Sequence, residues 1–339
     1  RGAAVTLRGR TCAEARAPRA PPRRRRAWHA GAEEEEEEEG SMALPPTAGL
    51  VVEVSPVVAL VGGFLLSFFF VASLYTWKLV GYEDANRDEP GTIQRRFLSV
   101  LLSCACSAAL LVALARRVDG GLTLVELLGL GLGGTLRACV CCLALTAALF
   151  VGPLVQHWVG VWKGCADVAS LPAGGPWVAA RNYVLAPISE EFVFRACLVR
   201  LWLGADFPRA AIILVSPLCF GLAHAHHFME QVRRGQDKAT AAQTTAFQVC
   251  YTWLFGMFCN FLLLRTGSTL AVILTHAFCN HQGFPDLGFL ACRHHFLYEQ
   301  RLIIGALYLV GIALFCWLIG PITAGFDSTF VAPAALVGR

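Results

Sequence analysis

The sequence predicts an all-α polytopic membrane protein with about eight transmembrane helices that enclose a catalytic cavity within the membrane. The 339-residue chain is 56% hydrophobic and only 15% charged, whereas soluble domains carry roughly 25% charged residues. Apolar runs recur at the length of about 20 residues that a helix needs to cross a bilayer. Ionisable side chains lie inside some of these runs, where they are costly and usually have a function.

The apolar runs give the order of the predicted helices. We expect spans near residues 57–79, 98–115, 122–134, 138–156, 184–203, 209–226, 243–264, 268–282 and 301–320. The 122–134 stretch is short and Arg137 follows it, so we interpret it as a re-entrant or interfacial piece. The charged connection 231–243 should face water. Arginines flank both ends of the second span, so charge does not decide the orientation.

Composition divides the chain into three segments. Residues 1–48 are rich in Arg, Ala and Pro and then in Glu, and we predict that they are disordered because they cannot bury enough apolar surface. Residues 49–322 form the predicted membrane-embedded domain, and residues 323–339 form a short tail. The first methionine is Met42, so the sequence leaves open whether residues 1–41 belong to the mature protein.

Charge and cysteine content exclude several functions. The net charge of +4 carries little information because the arginines and glutamates of the first segment nearly cancel. No basic domain with interleaved aromatic residues follows, so we expect no nucleic-acid partner. Most of the 14 cysteines lie in apolar runs, where cysteine acts as a small hydrophobic residue. Cys139 and Cys142 form a CxxC pair without a second pair at zinc spacing, so we expect neither a metal nor a cofactor.

Two adjacent carboxylates lie in the predicted span 184–203. Glu191 and Arg195 are four residues apart on one helix face, in the order that favours an ion pair. Glu190 is rotated by about 100° from Glu191, so the two carboxylates need not share an environment. Glu190 can therefore point into a cavity and act as a base. The alternative is a buried Glu–Arg pair that only holds helices together, with Glu190 at a water-facing edge.

Histidines follow at the end of a later apolar run. His224 and His227 are three residues apart on one helix face, and His226 is offset from them. A neutral imidazole can accept or pass a proton, which suits acid–base chemistry. These histidines can equally be helix-end hydrogen-bonding groups or metal ligands.

A pair of polar residues lies in the span 268–282. His276 and Asn280 are four residues apart and project from one face of an apolar helix. Two converging donors in a dry site can stabilise an oxyanion, although they can also form a polar contact between helices. Asn260, in the middle of the span 243–264, is best interpreted as such a contact.

Together these residues supply the groups needed to add water to an amide carbonyl. The sequence has no GxSxG elbow for a nucleophilic serine and no HExxH zinc motif. Cys279 and Asn280 are consecutive and cannot share a helix face. An activated water is therefore the favoured nucleophile.

Three ordered motifs resemble one known family. These motifs are Glu190-Glu191-x-x-x-Arg195, Phe220-x-x-x-His224 and His276-x-x-x-Asn280. They resemble those of the CaaX prenyl endopeptidases of the Ras-converting type, within the wider glutamate intramembrane protease (Abi) family. The likeness runs from about residue 73 to residue 324, and residues 181–286 carry its specificity.

The resemblance implies a fold, an activity and roles for individual residues. It implies an eight-helix protease of the endoplasmic-reticulum membrane that removes the last three residues of farnesylated or geranylgeranylated CaaX proteins, such as Ras-like small GTPases, without a metal. Glu190 and His224 would activate water, and His276 and Asn280 would form the oxyanion site. Glu191 and Arg195 would orient the site, and His227 would be its neighbour. Membrane lipid is the other expected partner.

Three alternatives stay open at this point. The first is a zinc-dependent membrane peptidase with His224, His227 and Glu190 as ligands. The second is a polytopic transporter whose buried charges form a proton relay, although the sequence shows no inverted repeat. The third is a catalytically silent relative, which the presence of all the motif residues argues against.

Overall fold

Helices account for nearly all of the regular secondary structure in the computed structural model, which describes residues 48–82, 86–166 and 174–337. The predicted disorder of residues 1–47 lies outside the described residues. The described α-helices follow one another in this order: α1 (Pro56–Ser73), α2 (Thr76–Leu79), α3 (Pro90–Leu114), α4 (Leu124–Leu127), α5 (Thr135–Leu149), α6 (Val151–Trp162), α7 (Gly175–Ala180), α8 (Ala186–Glu191), α9 (Leu198–Gly204), α10 (Arg209–Leu214), α11 (Pro217–Ala223), α12 (His226–Arg233), α13 (Lys238–Thr266), α14 (Thr269–Gln282), α15 (Gly288–Ala291), α16 (Arg301–Ile322) and α17 (Pro333–Val337).

The described residues contain five helical stretches that are long and apolar enough to cross a membrane. They are 56–73, 90–114, 209–233, 238–266 and 298–322. A sixth is α5 with α6, if this pair, bent by 74°, is one span. The other two predicted spans are helical but fall outside this set, because α14 has only 14 residues and the 184–203 region is broken into several segments. The 122–134 stretch contains only the short α4, in agreement with its interpretation as a non-spanning piece.

The outer surfaces of these helices are apolar, which confirms the membrane class. Phe64 and Phe68 of α1 and Leu309 and Trp317 of α16 each expose more than half of their surface. In the stretch that contains α16, only 11% of the apolar window is buried inside the protein. Apolar helices that are left uncovered by protein are covered by lipid in a membrane protein.

A two-stranded sheet was not predicted from the sequence. Strand β1 (Ala48–Val52) pairs antiparallel with β2 (Ala115–Asp119), so that Val52 lies opposite Ala115. Val51 and Val52 are buried, which explains why this short strand is held against the helices. Ala48 lies in the segment predicted to be disordered and Ala115 at the end of a predicted span, and both residues belong instead to the strands.

Polar side chains join helices in the interior. Asn260 of α13 is buried and donates hydrogen bonds to the carbonyl of Ile212 (2.7 Å) and to the hydroxyl of Ser216 (2.8 Å). The predicted interhelical contact of Asn260 is thereby confirmed. The described cysteines are free, and Cys139 and Cys142 are buried, as expected for small apolar residues.

Arg200 of α9 holds the chain that follows α16. Its side chain is buried and donates hydrogen bonds to the carbonyls of Leu127 (2.9 Å) and Thr329 (2.8 Å). Its guanidinium lies 4.0 Å from the centre of the Phe330 ring, a cation–π contact. This buried arginine therefore helps to hold the segment after residue 322 on the helical core.

We expect Arg200→Ala to lower the free energy of unfolding by at least ~2 kcal/mol, because two buried carbonyl groups lose their charged donor. The measurement is thermal unfolding of the purified protein in detergent. Arg209→Ala, at an exposed arginine of α10, is the matched control and should unfold at the wild-type temperature. An equal melting temperature for Arg200→Ala and wild type would contradict the assignment.

Candidate functional site

The two glutamates lie on a helix that changes its winding on both sides of them. The helix α8 is preceded by the π-helical segment Arg181–Leu185 and followed by a second one, Phe192–Cys197. Pro187 has no N–H to donate to the carbonyl four residues earlier, which accounts for the first irregularity. Wider π-helical turns often occur at functional sites because they change the direction of side chains.

Glu191 is fully buried between two basic groups. Its Oε2 lies 3.1 Å from Nε of Arg195, and both side chains are at most 1% exposed. Its Oε1 lies 2.6 Å from Nδ1 of His276 on α14. The predicted i,i+4 ion pair is thus present, and it also anchors a histidine of another helix.

Glu190 has a different environment from its neighbour. Its side chain is 18% exposed, and its Oε2 lies 3.8 Å from Nε2 of His276. His276 therefore stands between the two carboxylates, with one ring nitrogen toward each. The sequence expectation that the two glutamates occupy different environments is confirmed.

His224 lies at the junction of α11 and α12. Its Nδ1 is 2.9 Å from the carbonyl oxygen of Phe220, and its ring contacts the Phe220 ring edge-on at 4.9 Å. A carbonyl only accepts hydrogen bonds, so Nδ1 carries the proton and Nε2 of the neutral ring has a free lone pair. His224 is in this way held in the form that can accept a proton from water.

One cavity of about 680 Å³ brings the predicted residues together. Its wall includes Glu190, His224, His227, His276 and Asn280. The remaining wall is mostly aromatic and aliphatic: Leu149, Phe150, Tyr251, Leu254, Phe255, Phe258, Phe284 and Phe315. Carboxylate, imidazole and amide groups thus converge on an apolar cavity, the usual form of a ligand site.

Asn280 is already fixed by one hydrogen bond. Its Nδ2 donates to the carbonyl of Asn182, in the first π-helical segment, at 2.9 Å. An amide nitrogen has two N–H groups, so one donor is left for the cavity.

A second cavity of about 160 Å³ meets the first at Glu190 and His224. Arg87, Asn182 and His227 also line both cavities. The smaller cavity lies between α1, α3, α8, α11 and α12, and its wall is largely apolar but contains two further arginines, Arg96 and Arg181. Glu190 and His224 therefore lie in the walls of both cavities.

Glu230 was not predicted, although it organises the wall near His227. It accepts hydrogen bonds from the Tyr75 hydroxyl at 2.9 Å and lies 3.1 Å from Nδ1 of His227. Arg96 approaches it at 3.5 Å. In the sequence Glu230 is one of several charged residues that follow a predicted span. Its partners Tyr75 and Arg96 lie far away in the chain, so their contacts are visible only in the fold.

The zinc alternative named His224, His227 and Glu190 as ligands, and the structure brings together a different set of possible metal ligands. Among the described residues, a group with metal-ligand spacing is His226, His227 and Glu230, whose ligand atoms lie within 4.8 Å of one another. This group does not include Glu190 or His224. Two arginines near Glu230 oppose binding of a cation there.

These helices and this cavity define the class of the protein: a polytopic membrane protein with an acid–base site between its helices. Residues 172–281 match the family described as "Type II CAAX prenyl endopeptidase Rce1-like". The chain is 37% identical over 270 residues to human "CAAX prenyl protease 2", covering 76% of this chain and 79% of the human protein. It is 32% identical over 268 residues to Schizosaccharomyces pombe "Probable CAAX prenyl protease 2", covering 74% and 90%. No solved structure matches the chain significantly.

The chain therefore belongs to the type II CAAX prenyl endopeptidase family, and it is a membrane-bound protease. This confirms the family resemblance of the three motifs. The matched segment 172–281 contains all three motifs, together with His227. The comparisons support neither the zinc peptidase nor the transporter alternative.

We expect Glu191→Ala and Arg195→Ala each to lower the free energy of unfolding by about 3–5 kcal/mol, because each leaves an uncompensated buried charge. The double variant should lose less than the sum of the two single losses, since neither charge then remains buried alone. Thermal unfolding in detergent of the four proteins measures this coupling. Strictly additive losses would contradict a direct Glu191–Arg195 interaction.

Proposed function

We propose that this protein removes the C-terminal tripeptide from farnesylated or geranylgeranylated CaaX proteins, Ras-like small GTPases among them, with a water activated by Glu190 and His224. The observation that carries the proposal is the convergence of Glu190, His224, His276 and Asn280 on one cavity in a member of this protease family. The proposed location is the endoplasmic-reticulum membrane, and the proposed mechanism needs no metal.

The first step is attack of water on the scissile carbonyl carbon. Glu190 is the accessible carboxylate of the pair, and His224 presents a neutral nitrogen to the same cavity. Glu190 takes a proton from water while His224 holds the water by a hydrogen bond. The water oxygen bonds to the carbonyl carbon. The C–N bond then breaks, and the proton held by Glu190 passes to the nitrogen of the leaving tripeptide.

The second requirement is a partner for the negative charge on the carbonyl oxygen. His276 donates a hydrogen bond from Nδ1–H to Glu191, so its Nε2–H is available as a second donor when the ring is an imidazolium. The carboxylates on either side stabilise that positive ring. Asn280 contributes its second N–H, and the two donors together bind the oxyanion.

Glu191 and Arg195 act through His276 in this mechanism. The Glu191 carboxylate does not reach solvent, so it is not suited to accept a proton from water. The Arg195 guanidinium is already protonated and has no acceptor. Their function is to hold the ring of His276 in position, and the Glu191 carboxylate also stabilises its protonated form. His227 has a weaker role as a wall residue, held by Glu230.

The cavity chemistry suits a lipidated peptide. The larger cavity has an aromatic lining around Phe255, Phe258 and Phe315, which can accept an isoprenoid chain. Phe247, Tyr251 and Phe284 form an exposed aromatic cluster near its wall, with ring centres 5.1 to 6.4 Å apart. A prenyl chain anchored in the bilayer can enter here while its peptide reaches Glu190.

We expect Glu190→Gln and His224→Ala each to lower kcat by about 10²–10⁴-fold, because each removes a group that moves or holds the proton. The assay is cleavage of a prenylated CaaX peptide by the purified protein in detergent, with mass detection of the tripeptide. Glu299→Gln, at an exposed carboxylate outside both cavities, is the matched control and should retain wild-type turnover.

Two further arms of this assay test substrate and mechanism separately. The unprenylated twin peptide should be cleaved far more slowly, and equal cleavage would remove the substrate assignment. Full activity is expected in excess EDTA, whereas loss of activity that zinc restores would favour the metallopeptidase alternative. Unchanged turnover by Glu190→Gln would remove the proposed base.

We expect Phe258→Trp to raise KM for a geranylgeranylated peptide more than for its farnesylated twin. A larger side chain shortens the apolar cavity, and the longer isoprenoid suffers first. KM values for the two matched peptides give the ratio directly. Phe68→Trp, on the exposed face of α1, is the control and should leave the ratio unchanged. An equal increase in KM for both peptides would show that the prenyl chain does not bind beside Phe258.

A further inference from the structure

Arg87 occupies an unusual position beside the proposed active site. It precedes α3, its side chain is 34% exposed, and it lines both cavities together with Glu190 and His224. A cation at this junction has no part in the steps described above. Its position requires a separate explanation.

The carboxylates near Arg87 have closer partners. Asp88 lies 4.0 Å from Arg87 but accepts a hydrogen bond from Arg181 at 2.8 Å. Glu230 lies 3.9 Å from Arg87 but accepts from Tyr75 at 2.9 Å. Both Arg87 distances exceed hydrogen-bond length. Asp88 and Glu230 thus partly balance the charge of the Arg87 guanidinium. Among the described residues, however, no carboxylate lies within hydrogen-bond distance of it.

The surroundings of Arg87 favour an anion. Arg96 and Arg181 line the smaller cavity with it. Burial and the neighbouring Arg181 lower the pKa of Arg87, although an arginine remains protonated in proteins. Binding of a carboxylate would relieve the repulsion between these guanidinium groups.

The proposed substrate supplies such an anion at a fixed place. The residues after the prenylated cysteine end in a free carboxylate, three residues from the scissile bond. An extended tripeptide spans roughly 10 Å, so its end lies close to the site of cleavage. Arg87 lines the larger cavity with Glu190 and His224, and it also lines the smaller cavity with Arg96 and Arg181. The carboxylate of the leaving tripeptide therefore belongs beside Arg87.

We propose that Arg87 binds the C-terminal carboxylate of the substrate and so sets the cleavage position three residues from the chain end. The inference rests on the proposed function, which supplies the CaaX substrate. The planar guanidinium can pair with both carboxylate oxygens at once, which gives direction as well as affinity. Arg87 is thus a specificity residue and takes no part in the proton transfers.

The test compares two prenylated peptides that differ only at the chain end, one with a free carboxylate and one with a carboxamide. Wild type should have a KM about tenfold or more lower for the acid, the value of a charge-assisted hydrogen bond. Arg87→Gln should raise the KM of the acid to that of the amide. Arg87→Lys should keep part of the preference, because the charge remains while the paired geometry is lost.

Arg209→Gln, at an exposed arginine of α10 outside both cavities, is the control. It removes one positive charge without a change in either cavity, so we expect this variant to keep the acid-over-amide preference. The inference is overturned if wild type cleaves acid and amide with equal KM, if Arg87→Gln weakens both equally, or if Arg209→Gln erases the preference. A wild-type protein that cleaves neither peptide would instead overturn the proposed function.

Discussion

The rest of the site depends on the contacts of the buried Glu191 carboxylate with Arg195 and His276. A fully buried carboxylate is stable only with charged or hydrogen-bonding partners. Arg195 and His276 supply them, from the same helical run and from α14 respectively. The pairing ties together two elements that are far apart in the chain.

The Glu191–Arg195 pair is also linked to His224, through Phe220. The guanidinium of Arg195 lies 4.1 Å from the centre of the Phe220 ring, and Nη1 and Nη2 have no hydrogen-bond partner among the described residues. Phe220 in turn supplies the carbonyl that fixes the Nδ1 proton of His224. One ion pair thereby positions both imidazoles, His276 directly and His224 through an aromatic ring. In the proposed mechanism, this positioning is the function of an ion pair that is costly to bury.

Sequence patterns predicted those parts of the structure that depend on local spacing. The i,i+4 relation of Glu191 and Arg195 fixed their contact, and the apolar runs located most helices to within a few residues. The hydrogen bond from His276 to Glu191 spans 85 positions, so no local pattern could give it. Arg87 and Glu230 look like ordinary flanking charges in the sequence. The strand pair escaped prediction because five-residue strands lie beside much stronger helical patterns.

The two cavities that share Glu190 bear on the direction in which the proposed substrate binds. A CaaX substrate has opposite chemistry on the two sides of its scissile bond, an isoprenoid on one side and a carboxylate on the other. The larger cavity has phenylalanines from α13 and α16 in its wall, whereas the smaller cavity carries additional guanidinium groups. Both cavities have apolar walls, so burial of the isoprenoid alone does not distinguish them. Charge does, because Arg87, Arg96 and Arg181 all line the smaller cavity. Under the proposed function, the direction of the bound peptide is therefore set by its carboxylate more than by its prenyl chain.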